Sequence, residues 1–257
     1  MFNRLTKISF VFLVGLLFAA SLTVKSADAL ALGVQADYWM TKLTGTVKAD
    51  LGGVMGDKIN LKDDLGMGDD NAGEGMLYLQ AGRHRLTLRY TPLKYQGSKV
   101  VTQSFAFNGR TYSANTKVDS ILEFNQTDIQ YTYWLLNMKT GVRLGLIGAI
   151  KNVNARATLK AASAGINEEQ NFSLPIPMVG ASFELGLGDL VRITATGVGI
   201  SYSGNSLLDV TAALEVSPVP LFGITAGFRG VYLNVDAGDT EVKLNTTGLF
   251  VGVFAHF

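Results

Sequence analysis

The acidic stretch from Asp63 to Glu74 is the densest concentration of reactive groups in the chain. Asp63, Asp64, Asp69, Asp70, Asn71 and Glu74 all fall in this one short segment. Hard oxygen donors at such density suit a divalent cation, and Asp63, Gly68 and Glu74 match positions 1, 6 and 12 of a calcium-binding loop. Leu65 and Met67 occupy positions 3 and 5, where that loop needs oxygen ligands. The expectation is therefore a solvated or plug-like loop. Divalent-cation binding is its alternative, and no other cofactor is implied.

Catalytic chemistry is harder to assemble. The chain holds 2 histidines, His84 and His256, and no cysteine. Thiolate chemistry is thereby excluded, and a serine nucleophile needs a base that neither histidine supplies. His84 falls in a short turn and His256 is the penultimate residue, so both read as structural. No catalytic residue is expected.

The elements that position these groups begin after an export signal. Arg4 and Lys7 form a basic start, Ile8 to Ala20 an apolar core, and Ala27-Asp28-Ala29 a small-x-small cleavage site. Residues 1–29 thus read as a signal peptide for the Sec pathway and 30–257 as one mature domain, with cleavage after Ala31 as an alternative. Removal of Arg4, Lys7, Lys25 and Asp28 leaves a nearly neutral protein with no reason to bind nucleic acid.

The mature region alternates with period 2. Val191, Ile193 and Ala195 interleave with Arg192, Thr194 and Thr196, and Val210, Ala212, Leu214 and Val216 with Asp209, Thr211, Ala213 and Glu215. A mean hydropathy of +0.23 without a spanning apolar run after the leader fits strands that face lipid. At the C-terminus Leu249, Val251, Val253, Ala255 and Phe257 share one parity. A terminal Phe after such a strand is the signal read by outer-membrane assembly machinery.

Turn chemistry divides the domain into strands at about 32–47, 74–82, 85–106, 110–136, 141–160, 172–187, 190–203, 206–217, 221–236 and 240–257. The expectation is an all-β, transmembrane, antiparallel up-and-down barrel of ten strands, with eight or twelve as alternatives. Short periplasmic turns alternate with extracellular connections, of which Lys48 to Gly73 is the longest. Asn108-Gly109 is the strongest hairpin signal, because both residues tolerate the positive φ of a type I′ turn. The two strands flanking it are long, which predicts a tip standing well above the outer surface.

Parity then assigns an interior. Asp37, Arg89, Asp128, Arg143, Glu184, Arg192, Glu215 and Arg229 fall on the polar side of successive strands with alternating sign. Arg143, Glu184, Arg192 and Glu215 lie near periplasmic turns and form one expected layer; Asp37, Arg89, Asp128 and Arg229 form another. Mutual salt bridges filling a narrow barrel are one reading, and a narrow channel for small solutes or ions constricted by these layers is the other. Trp134, Phe250 and Phe254 share the inward parity. Tyr38, Tyr90, Tyr131, Tyr133, Phe183, Phe222 and Phe228 share the outward one, as interfacial aromatics do.

Several runs carry a family likeness: Ile59-Asn60-Leu61-Lys62-Asp63-Asp64-Leu65-Gly66 with Asp69-Asp70-Asn71, Arg89 to Gly97, Phe105 to Gly109, Val118-Asp119-Ser120, and His256-Phe257. With these motifs the chain resembles a family of small Gram-negative outer-membrane β-barrel proteins. The resemblance spans nearly all of the mature region and implies the same fold and location. That family has no assigned activity, so it brings no catalytic residue. The expected role is structural or surface-interacting, in a monomer whose partners are outer-membrane lipid, lipopolysaccharide and the assembly machinery.

Overall fold

The computed structural model describes residues 30–50, 55–236, 238 and 240–257. The expected signal peptide, residues 1–29, lies outside them. In chain order the strands are β1 (Leu30–Ala49), β2 (Ile59–Asn60), β3 (Asp70–Ala81), β4 (His84–Thr91), β5 (Lys94–Val100), β6 (Phe105–Phe107), β7 (Arg110–Tyr112) and β8 (Lys117–Asn137). They continue with β9 (Val142–Ala161), β10 (Ile166–Leu187), β11 (Val191–Tyr202), β12 (Asn205–Val219), β13 (Phe222–Asp236) and β14 (Thr240–His256).

Consecutive long strands pair antiparallel, and β14 returns to β1 in a continuous register from Gly33↔His256 to Ala49↔Thr240. β4 and β5 both pair with β8 and are two halves of one wall strand, interrupted at Pro92-Leu93. Proline lacks the N–H that a ladder needs, so the wall strand breaks there. Counted this way the barrel has ten staves and is closed. Closure leaves no membrane-level strand edge without a partner, which is what a hydrocarbon environment demands.

Alternation sorts the two faces. Leu249, Val251 and Val253 are 61%, 49% and 60% exposed on the outside, while Phe250 and Phe254 are buried inside. Tyr38, Tyr90, Tyr133, Phe222 and Phe228 are exposed on the outer face, with Tyr131 and Phe183 half-buried. An apolar surface this continuous is stable against lipid and not against water.

Four expectations on the side read as extracellular are corrected. The strand expected over 85–106 is broken into β4, β5 and β6. Asn108 and Gly109 do form a turn with φ of 50° and 71°, but they join β6 to β7 in a separate two-stranded sheet, not the two long wall strands. This tip does not stand free: Asp57 and Ala106 exchange backbone and side-chain hydrogen bonds, and Phe105, Phe107, Asn108 and Tyr112 are buried. The connection expected over Ala161 to Asn171 is mostly strand, because β10 starts at Ile166 and pairs with β9 from Ala161 downward.

Candidate functional site

The middle of the lumen is filled by one charged network. Arg229, on β13, is 1% exposed and donates from Nε and Nη2 to Asp209 Oδ1 and Oδ2 at 3.1 and 2.7 Å. Its Nη1 donates to Thr91 Oγ1 at 2.9 Å and to Glu74 Oε2. Glu74 also accepts from Thr91 Oγ1 at 2.7 Å and lies 3.4 Å from Arg89 Nε. Lys151 Nζ reaches Asp128 at 2.6 Å, Asp209 at 3.0 Å and Gln126 Oε1 at 2.9 Å. The Arg229 guanidinium rests over the Trp39 ring, 4.9 Å from its centroid. Six charges from six strands are thus tied together at one height. Charges taken this far from water persist only when each is paired and hydrogen-bonded.

A second group lies nearer the chain termini. Glu184 accepts from Arg85 Nη1 at 2.5 Å and Arg143 Nη1 at 2.8 Å. Arg143 lies 4.0 Å above the Trp134 ring, and Arg85 is 5.1 Å from the same ring. Beside them Arg192 pairs with Glu215 at 3.2 Å. Between the two groups is a cavity of about 100 Å³ bounded by Asp37, Arg89, Glu184, Arg192 and Phe254.

The structure therefore brings Arg89, Asp128 and Arg229 into the central network and Arg143, Glu184, Arg192 and Glu215 into the lower group. Asp37 joins neither: among the described residues its carboxylate accepts only from Gln35 Nε2, at 2.8 and 3.0 Å. Sequence reasoning passed over Arg85, Lys151 and Asp209. Parity could have found Arg85, which shares the side of Arg89, and Asp209, which shares that of Glu215; Lys151 proves to be the register partner of Asp128.

The acidic stretch is parted. Glu74 sits on β3 and points into the central network, so it is a wall residue and not a loop ligand. Asp69 takes Lys62 at 2.8 Å and the Leu43 amide at 3.1 Å. Asp64 accepts from the Asn60 amide and Asp70 from the Asn71 amide, while Lys99 reaches the Asp63 carbonyl. Lys62 holds the Asp69 carboxyl below the usual carboxylate range. Among the described residues no three carboxylates or histidines converge as a metal site would require.

Above the charges the lumen turns apolar. The first loop folds back over the mouth, burying Ile59, Leu61, Leu65 and Met67 against Leu43, Tyr95, Val118, Leu122 and Phe124. Its amides at Met67 and Gly68 bond to Leu61 and Gln96 carbonyls. Gly97 makes the contact possible, because any side chain there would overlap the Leu65 carbonyl and come 2.7 Å from the Met67 nitrogen.

His84 and His256 are both at the end that carries the chain termini. His84 Nδ1 shares a 2.6 Å hydrogen bond with the Tyr131 hydroxyl, and His256 stacks on Phe254.

No protein-family profile matches the sequence, and no curated protein does. Solved structures do match in shape. The outer-membrane protease OmpT of Escherichia coli aligns with a TM-score of 0.56 at 10% identity, over 90% of this chain and 99% of that one. The fold is that of an outer-membrane β-barrel. OprG of Pseudomonas aeruginosa aligns at 9% identity over 90% of this chain and 96% of its own, TM-score 0.42. The translocator domain of NalP from Neisseria meningitidis aligns at 13% over 100% and 99%, TM-score 0.41.

Proposed function

We propose that this chain is a non-catalytic integral protein of the Gram-negative outer membrane whose barrel is closed to solutes and whose role is structural or surface-interacting, exerted through the folded extracellular cap. The supporting observation is the central network: Arg229, Lys151, Glu74, Asp128 and Asp209 fill the lumen with mutual ion pairs, and the apolar first loop covers them. A conduit needs charges that face a water path; these face one another. Catalysis is disfavoured by the position of both histidines, which lie at the end opposite the cap.

The same reading supplies the remaining assignments. Residues 1–29 are an export signal for the Sec pathway. Phe257, 61% exposed beside the Leu32 backbone that it pairs with, is the assembly signal. The outer face contacts lipid and lipopolysaccharide, and the chain is a monomer.

Single-channel recording of the refolded protein in planar bilayers tests the closed lumen. A silent bilayer from correctly folded protein is the expected outcome. Steady small openings, with an ion selectivity that shifts in an Arg143, Arg192 and Arg229 triple alanine variant, would establish a narrow channel in its place.

A further inference from the structure

The central network pairs three carboxylates with three cations and leaves Asp37 beside it as an extra carboxylate, while the lower group holds an extra cation. Around the central network four carboxylates (Asp37, Glu74, Asp128, Asp209) face three cations (Arg89, Lys151, Arg229). The surplus one is Asp37, which alone among the four makes no ion pair. In the lower group three arginines (Arg85, Arg143, Arg192) face two carboxylates (Glu184, Glu215). The least restrained of those arginines is Arg192, whose side chain is 40% exposed and makes a single hydrogen bond.

Asp37 and Arg192 both border the 100 Å³ cavity that separates the groups. Its walls are shaped for more than water. Asp37 lies opposite Gly252, and a side chain at that glycine would collide with the carboxylate, so the missing Cβ makes the room that the carboxylate occupies at the cavity wall. On either side of Gly252 the same strand turns Phe250 and Phe254 inward to the cavity. A buried carboxylate that makes no ion pair suits an ammonium group. The opposite side offers a guanidinium with free donors, which suits a carboxylate.

We propose that this cavity binds a compact zwitterion, an amino acid of glycine's size, with its ammonium at Asp37 and its carboxylate at Arg192. A cation alone would leave the arginine surplus uncompensated, and an anion alone would leave Asp37 so. The volume admits a solute of a few heavy atoms and no larger one. Access is from the end bearing the termini, where a second cavity of about 630 Å³ between the 186–191 and 217–220 turns shares Arg192 and His256 with the first.

The test is isothermal titration calorimetry of the refolded protein in detergent micelles at low salt, with glycine as the ligand and methylammonium and acetate as single-charge controls. Because it needs no bilayer, the result does not depend on whether the lumen conducts. Saturable binding of glycine is expected, at least tenfold tighter than either control. Asp37→Asn is expected to weaken it at least tenfold and Arg192→Gln about fivefold. Asp37 has no ion pair to lose, so the Asn variant should fold; if it does not, Arg192→Gln at the exposed mouth decides alone. Absence of saturable heat with glycine, unaltered affinity in the variants that fold, or methylammonium binding as tightly as glycine would each overturn the proposal.

Discussion

The two halves of the lumen are filled by opposite means. Toward the termini the interior is charged: Arg229, Lys151, Asp128 and Asp209 are almost completely buried and held by one another. Toward the extracellular end it is apolar: Leu61, Leu65, Met67, Tyr95 and Phe124 pack as a soluble protein's core would. The difference teaches where each filling is available. Within the bilayer the outer face must be apolar, so period-2 strands leave the polar parity inside, and that side is closed by pairing charges. Above it, wall strands are no longer constrained by lipid, and a loop can fold in and contribute side chains of its own.

The halves should therefore break differently. Removing one member of the charged half leaves the others unpaired in a dry interior. Arg229→Met strips partners from Asp209 and Glu74 together and is expected to cost about 3–5 kcal/mol. Urea unfolding in micelles, followed by the gel shift of the folded barrel, measures it. Replacing Asp209 by Asn in the same chain should recover part of that loss. A loss below about 1 kcal/mol from Arg229→Met alone would mean that water reaches the network, and the closed-lumen reading would fail with it.

In the apolar half a truncation leaves a cavity instead of an orphaned charge. Leu65→Ala is expected to cost about 2–4 kcal/mol of loop docking and to leave unfolding of the barrel unchanged. The readout is protease cleavage within residues 55–69, which should accelerate while the wall stays intact. If global unfolding shifts equally, the two halves are one cooperative unit and the contrast is wrong. Gly97→Ala sharpens the same point from the wall side, since its added methyl meets loop backbone that must move. A cost of about 1–3 kcal/mol is expected from such overpacking, again in loop protection and not in barrel unfolding.

How far this was legible in the sequence also differs between the halves. Alternation is a local property, so the inward side of Arg192, Glu215 and Arg229 can be read from their immediate neighbours. Lys151 is hidden because its inward companions Ile147, Ala149 and Val153 are aliphatic, so no polar parity marks the strand. Glu74 stands one residue inside a boundary placed at Gly73, while β3 in fact begins at Asp70; its reading as a loop ligand follows from that offset. The cap is less legible. Leu61, Leu65 and Met67 have no strand-like spacing, and what draws them in is the bare backbone at Gly97, some thirty residues away. The break at Pro92 was visible as a proline, but its consequence, a separate β6–β7 sheet folded onto Asp57, depends on a contact between two loops.

The smallest expected effect concerns an ion pair inside the first loop. Asp69 bonds Lys62 within the loop and the Leu43 amide on β1, and its carboxyl titrates below the ordinary value of 3.8. A carboxyl with a depressed folded pKa adds stability that is fully present above the unfolded pKa and is lost as pH falls through the folded one. Loop protection should accordingly be level from neutral pH down to about 4 and decline only below it. The side chain is 41% exposed, so solvent screens the pair and the decline should be slight. Hydrogen exchange of residues 59–68, corrected for its intrinsic pH dependence, measures this. In Lys62→Met the decline should shrink, because without its partner the Asp69 carboxyl titrates closer to its unfolded value and the pH-dependent contribution is smaller. Loss of protection already between pH 7 and 5 would mean that a group other than Asp69 fastens the loop, and that the apolar half is less independent of titration than its packing implies.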